Sequence, residues 1–239
     1  MRVLIVGSTL DDISYIQTKM DVQEVLTVAG DTEIYLGTYA KKNIALVATG
    51  IGNYISSMIT ALAIELTKPY LCIQIGNVNS FDEQLKQTDL FVATRVYLSD
   101  INQMAIDKLT YGQLPGLKPF YTSEVTLIQR IKDINSSLAN KPLLRGVLLT
   151  DNKFRTTKED MNNIIDKHFV KVENMVACDS NAGGVVIACE KYKIPYVSLL
   201  VCAYELGDEK QLLTRQRKGL SVQPYVGKIV AQLMDNDSE

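Results

Sequence analysis

Strand-like and helix-like patterns alternate along nearly the whole chain, which confines it to folds in which helices cover a sheet. Residues 3–7 (VLIVG) read as a first strand, and residues 11–20 carry Ile13, Ile16 and Met20 at helical spacing. Strand-like runs follow at residues 24–29, 32–39 and 44–48. A helical segment at residues 54–66 stops before Lys68-Pro69, and residues 70–75 form a buried strand closing at Gly76. Further strands are predicted at residues 90–97, 145–150 and 196–203, and helices at residues 123–138, 158–167, 182–192 and 225–234. The pattern predicts an α/β protein with a mixed, largely parallel central β-sheet flanked by helices on both sides. Active sites in such sheets gather at the carboxyl ends of the strands. At 239 residues the chain suits one globular domain, residues 1–239, whose acidic tail at residues 235–239 is expected to fray.

Charge and composition exclude several functions. The formal net charge is −2 and the 25 basic residues are dispersed, so no basic stripe is available to neutralise nucleic-acid phosphates. The nearly apolar run at residues 194–204 falls short of the ~20 residues needed to span a bilayer, and the apolar start at residues 1–7 is too short for a secretion signal. Cys72, Cys178, Cys189 and Cys202 lie in apolar surroundings without metal-ligand spacing, and read as buried free thiols suited to a reducing cytoplasm. His168, the only histidine, reads as a surface residue at a helix end, and one imidazole cannot build a multi-histidine metal site. Neither a metal nor a cofactor is expected.

Two loops stand out. Thr49-Gly50-Ile51-Gly52-Asn53 joins a strand-like run to a helical one, and its glycines suit either plain punctuation or close approach of backbone N–H groups to a small ligand. The long connection at residues 99–121 contains Tyr111-Gly112-Gln113-Leu114-Pro115-Gly116, a candidate lid or subunit-contact loop.

The opening V-L-I-V-G, A-T-G-I-G at residues 48–52, Lys68-Pro69 before a strand ending in Gly76, and Y-G-Q-L-P-G at residues 111–116 occur in an order that resembles one family. It is the nucleoside phosphorylase and nucleosidase family, in particular its 5′-methylthioadenosine/S-adenosylhomocysteine nucleosidases. The similarity extends from residue 1 to about residue 234. The resemblance implies a phosphorylase/hydrolase-like three-layer fold and a cytoplasmic homodimer. It also implies cofactor-free hydrolysis of a purine nucleoside to adenine and a 5-thioribose.

Carried over residue by residue, the resemblance makes Asp12 the water-activating acid, where the family usually has glutamate. Cys178-Asp179-Ser180-Asn181-Ala182-Gly183-Gly184 matches the family's V-[DE]-M-E-[AS]-A-A, so Asn181 replaces a sugar-binding glutamate and Ser180 the methionine beneath the ribose. Glu205, after Tyr204, stands for the aspartate that protonates the base. Ile75-Gly76-Asn77-Val78-Asn79-Ser80 replaces T-G-S-A-G-G, and Thr150-Asp151-Asn152-Lys153-Phe154-Arg155 replaces S-G-D-[AS]-F-[IV], keeping Phe154 as a base-stacking face. Ile51 joins Gly76, Asn77, Phe154, Asp179, Ser180 and Asn181 as candidate substrate contacts, and Arg215 falls where the family places an aromatic residue near the ribose. Leu109, Tyr111 and Pro115, with Leu114, are the residues that a neighbouring subunit would contribute.

Each of these polar residues also has a purely structural reading. Asp11 and Asp12 suit the first turn of a helix, Asp179 and Asn181 a turn and cap, and Glu205 and Asp208 a solvated loop. Asn181 cannot supply the carboxylate that stabilises a cationic sugar, a loss of roughly 2–4 kcal/mol in the transition state, although it can still accept a ribose hydroxyl. A catalytically degenerate nucleoside-binding or interaction protein is therefore the alternative. Phosphorolysis is less favoured, because no arginine lies between Arg2 and Arg95 and Ile73-Gln74-Ile75-Gly76 carries no basic residue.

Overall fold

The computed structural model describes residues 2–106 and 108–235; the rest of the predicted fraying tail, residues 236–239, lies outside the described residues. The strands are β1 (Val3–Gly7), β2 (Asp21–Val28), β3 (Thr32–Tyr39), β4 (Lys42–Ala48), β5 (Leu71–Ser80), β6 (Leu90–Leu98), β7 (Tyr121–Thr122), β8 (Leu143–Thr150), β9 (Met175–Asp179) and β10 (Tyr196–Glu205). Between them run the helices α1 (Leu10–Lys19), α2 (Asn53–Thr67), α3 (Val125–Ser137), α4 (Lys158–His168), α5 (Ala182–Tyr192) and α6 (Glu209–Asp235). Among the described residues no helix is long and apolar enough to cross a membrane.

The expected mixed sheet flanked by helices is present. β1 lies between β4 and β5, parallel to both, and β5 is parallel to β10. β3 and β2 extend the sheet antiparallel beyond β4. At the other end β10, β6, β8 and β9 continue until β9 returns to pair with the last residues of β5, curling that half toward closure. Alternating side chains explain the layers, because β1 is buried on both faces. Leu4 and Val6 join Ile59, Ala63, Val185 and Ala188 of α2 and α5 on one side. Val3 and Ile5 join Ile13 and Ile16 of α1, Ile131 of α3 and Val226, Ile229 and Leu233 of α6 on the other. The close approach of α2 to α5 needs Gly184, where a Cβ would come within 2.2 Å of the Asn53 carbonyl oxygen.

Four elements differ from the sequence reading, the first being β7, a two-residue strand paired with β6 at the end of the long connection. β5 continues past Gly76 to Ser80, because β10 and β9 supply partners along that stretch. β9 is a short buried strand that the sequence pattern did not reveal. α6 begins at Glu209 rather than near residue 225, since the helix continues through Pro224. Proline disrupts the turn involving the carbonyl four residues earlier, here that of Leu220, and Leu220 is partly open to solvent.

The four cysteines are free and buried, as expected. His168 is the last residue of α4 and stacks against Tyr111, with ring centroids 3.7 Å apart.

Candidate active site

The ends of several strands open onto one cavity of about 330 Å³. Its lining includes Ser8, Thr9 and Asp12 after β1, Ile51 after β4, Asn77 and Asn79 of β5, Cys178 to Asn181 at the end of β9, Ala203 of β10 and Phe154 after β8. The early part of α6 contributes Arg215, Gln216 and Leu220. These last residues were hidden from sequence reasoning apart from Arg215, because Pro224 masked the helix that carries them.

Asp12 is fixed twice over. Its Oδ2 accepts from the Ser8 and Thr9 N–H groups at 3.1 and 2.9 Å and from the Thr9 hydroxyl at 3.0 Å, so the residue closes a capping box at the start of α1. Its Oδ1 accepts from Asn77 Nδ2 at 3.0 Å. The structural reading of this acid and its placement in the cavity therefore hold together. Burial raises its pKa, against the pull of the Thr9 and Ser8 donors, which makes its carboxylate a stronger base than an ordinary aspartate. Gly76 lies behind it at φ +141°, where a Cβ would come within 3.3 Å of the carboxyl carbon. Gly219 of α6 leaves room for Asn77, since a Cβ there would meet its Oδ1 at 2.2 Å.

Asn181 borders the cavity but holds the Thr49-Gly50-Ile51-Gly52 loop. Its Nδ2 donates to the Gly50 carbonyl at 2.6 Å and to Thr49 Oγ1 at 3.4 Å, while its Oδ1 accepts from the Gly52 N–H at 3.4 Å. The Asn53 N–H donates to Asn152 Oδ1 at 2.9 Å. The N–H groups of Gly52 and Asn53 at the start of α2 thus bond within the protein. Ile51 projects from the loop with 72% of its surface exposed.

Phe154 is carried by a loop anchored by Asp151, whose Oδ2 accepts from Arg155 Nε and Nη2 at 3.0 and 2.6 Å and from the Ser99 hydroxyl at 3.2 Å. The Phe154 ring is 59% exposed and the Arg215 guanidinium lies 5.3 Å from its centroid, so a cation rather than a second aromatic ring faces it. Asp179 accepts from the Ala182 N–H at 2.9 Å, and Ser180 lies beside it in the wall.

Glu205 is not brought to this cavity. Its Oε2 pairs with Lys86 Nζ at 3.2 Å, and its Oε1 accepts from the Gln87 N–H at 3.2 Å and Gln211 Nε2 at 3.0 Å. Partial burial alone would raise its pKa, but the Gln211, Gln87 and Lys86 donors together hold it below the ordinary carboxylate value. A register shift between Cys202 and Tyr204 accompanies this arrangement, and Ala203 is the residue of this stretch that reaches the cavity. Tyr204 is buried and donates to the Thr156 carbonyl at 2.7 Å.

In the long connection, Tyr111 donates to the Ser99 carbonyl at 3.1 Å and packs on His168 and Phe169, Leu109 is half-buried, and Pro115 is exposed. None of these three lies in the cavity lining of the single chain.

The strand ends of this α/β sheet thus surround a cavity walled by buried carboxyl groups, the place where open α/β sheets hold small ligands. Residues 2–223 match the Phosphorylase superfamily, and the chain belongs to it. A 5′-methylthioadenosine/S-adenosylhomocysteine nucleosidase from Bacillus cereus is 26% identical over 212 residues, covering 89% of both chains. The nucleosidase of the same name from Neisseria meningitidis, solved in complex with methylthio-immucillin-A, superposes with a TM-score of 0.88 at 21% identity over 98% of each chain. The native structure of futalosine hydrolase of Helicobacter pylori superposes with a TM-score of 0.86 at 21% identity, covering 98% of this chain and 97% of the other.

Proposed function

We propose that this protein is a cytoplasmic N-ribosyl hydrolase that cleaves the glycosidic bond of a purine nucleoside such as 5′-methylthioadenosine or S-adenosylhomocysteine. The observation that carries this reading is the convergence of Asp12, Asp179, Asn181 and Phe154 on one cavity at the strand ends. Phe154 offers a face for the base, the remaining lone pair of Asn181 Oδ1 can accept a ribose hydroxyl, and Asp12 accepts the proton of the attacking water. Donors on both oxygens hold the Asp12 carboxylate in one orientation, while its burial keeps it more basic than an ordinary aspartate. Glu205 could act as the acid only after release from Lys86, Gln87 and Gln211. The buried free thiols suit a reducing compartment.

The preference for water over phosphate rests on the lining, whose only basic side chain among the described residues is Arg215. Release of free adenine from methylthioadenosine or S-adenosylhomocysteine in phosphate-free buffer, followed by chromatography, tests the proposal. Failure to release base from either substrate or from other purine nucleosides would leave a binding protein on this scaffold.

We also infer a homodimer. Ile51, Tyr54, Met58, Met104 and Ile106 are exposed apolar side chains on α2, its preceding loop and the long connection that carries Leu109, Tyr111 and Pro115. Burying them against a second copy would complete the mouth of the cavity beside Ile51. A monomeric mass by light scattering at micromolar concentration would contradict it.

A further inference from the structure

Part of the cavity wall has no task in the hydrolytic reading. Phe154 meets the base, Asn181 a ribose hydroxyl and Asp12 the water, while Asp11 of α1 and Arg215, Gln216 and Leu220 of α6 line the same cavity without a role. The α6 wall runs from the Phe154 ring, which Arg215 faces at 5.3 Å, to the start of α1, where Gln216 Nε2 donates to Asp11 Oδ2. It therefore lies between the place for the base and the place for the sugar. What it meets is the remaining part of a nucleoside, the substituent on the 5′ carbon.

This wall carries both signs of charge. The Arg215 guanidinium gives one Nη1 N–H to the Leu212 carbonyl at 2.8 Å, which leaves its other donors free. Asp11 Oδ1 has no hydrogen-bond partner among the described residues, and neither side chain has an oppositely charged partner there. Asp12, the adjacent acid, already has donors on both oxygens, so Asp11 is the available one. Asp11 is half-buried and Arg215 exposed, so a ligand in the cavity can reach both. An aromatic residue, as the resemblance expects at Arg215, would match an apolar substituent; a guanidinium beside a carboxylate does not. A methylthio group leaves both charges without a partner, whereas an α-amino acid brings a carboxylate for the Arg215 fork and an ammonium for Asp11. Those two charges sit on one carbon, and consecutive placement of Arg215 and Gln216 on α6 sets their two partners on one wall.

We propose that Asp11 and Arg215 form a specificity pair for a zwitterionic α-amino acid carried on the 5′ position, so that S-adenosylhomocysteine is taken in preference to methylthioadenosine. The proposal rests on the hydrolytic reading above and adds to it the choice of substrate. Arg215 donates to the carboxylate, Asp11 accepts from the ammonium, Gln216 holds Asp11 in place, and Leu220 offers an apolar contact to the methylene stem. Both charges lie at an open mouth, so solvent and salt keep the gain from each modest.

The test measures adenine release from four 5′-thioethers of adenosine: S-adenosylhomocysteine with both charges, an aminopropyl thioether with the ammonium alone, a carboxypropyl thioether with the carboxylate alone, and methylthioadenosine with neither. Wild-type kcat/KM should be about 10-fold higher for S-adenosylhomocysteine than for methylthioadenosine at low ionic strength, and the ratio should shrink as sodium chloride is added. Relative to methylthioadenosine, Arg215→Met should lower kcat/KM by roughly 3-fold or more on the two substrates that carry a carboxylate, and only on those. Asp11→Asn, whose amide oxygen can still accept from Gln216, should do the same on the two that carry an ammonium. Equal wild-type efficiency on all four substrates, or variants that lower all four alike, would overturn the specificity pair and leave the hydrolase reading intact. If no adenine is released from any of them, the hydrolase reading falls, and calorimetric titration of the same four compounds decides the pair. Tighter binding of S-adenosylhomocysteine that is lost in Arg215→Met upholds it, and equal affinities overturn it.

Discussion

Asn181→Asp changes the side chain by almost no volume, yet the structure makes it costly. The Asn181 Nδ2 group donates to the Gly50 carbonyl at 2.6 Å, and a carboxylate would set an oxygen against that oxygen. One hydrogen bond is lost and a charge is set against a part-buried carbonyl that keeps only the Thr49 hydroxyl, at 3.0 Å, together about 2–3 kcal/mol. The Gly52 N–H, 3.4 Å from Oδ1, and the positive N-terminus of α5 return up to about 1 kcal/mol to a negative group. The net expectation is about 2 kcal/mol of destabilisation at pH 7, or roughly 4–8 °C in Tm for a chain of this size. Because the folded state disfavours the charged form, the introduced carboxyl has its folded pKa raised above its unfolded value. The deficit is therefore full above the folded pKa and shrinks as pH falls toward the unfolded value of about 3.9. Thermal melts of both proteins by circular dichroism from pH 4 to 8 measure this. Equal Tm at pH 7, or a gap that widens toward acid, would refute the assignment of Asn181 as the clasp of the Thr49–Gly52 turn.

Asp12→Asn should lower turnover by at least about 10²-fold while shifting stability little, because an amide oxygen can still accept from Ser8 and Thr9; steady-state rates beside melting curves check both halves. Asp179→Asn should be more stable than wild type at neutral pH. The wild-type carboxyl titrates near 6 when folded against 3.8 in its unperturbed form, so its stability is greatest below pH 4 and falls by up to about 3 kcal/mol between those values. Urea titrations at pH 4 and pH 7.5 should show the two proteins alike at the first and separated at the second. Gly184→Val should cost about 3 kcal/mol or more, since its Cβ would meet the Asn53 carbonyl and the Ser56 hydroxyl at 2.2 Å, and it should appear as a large fall in Tm or as insoluble protein.

The elements that the sequence revealed are those whose burial writes a period. Val3–Gly7, Thr32–Tyr39 and Ala182–Tyr192 have the predicted bounds because both faces of the strands are constrained and the helix is closed by Lys193 in the left-handed conformation. β9 escaped notice because five residues buried on nearly every side carry no alternation. The long α6 escaped because Pro224 reads as a stop in any local rule, whereas tertiary packing of Val222, Val226 and Ile229 keeps the helix continuous. In the cavity, the resemblance singled out Asp12, Asn77, Phe154, Asp179 and Asn181, which share a wall. It did not anticipate that Asn181 would be turned to the Gly50 carbonyl, because sequence spacing does not report side-chain partners. Glu205 shows the same limit in another form. A one-residue irregularity in β10 between Cys202 and Tyr204 changes which side chain faces the cavity, and counting along the strand cannot detect a bulge.

The central claim is that water is the nucleophile at the sugar carbon. Incubating the wild-type protein with methylthioadenosine in water enriched in heavy oxygen, with and without phosphate, and weighing the sugar product by mass spectrometry tests it most directly. The account predicts one heavy oxygen in the released thioribose, free adenine in equal amount, and a rate indifferent to phosphate. A sugar phosphate, a requirement for phosphate, or no base released above the uncatalysed background would contradict it.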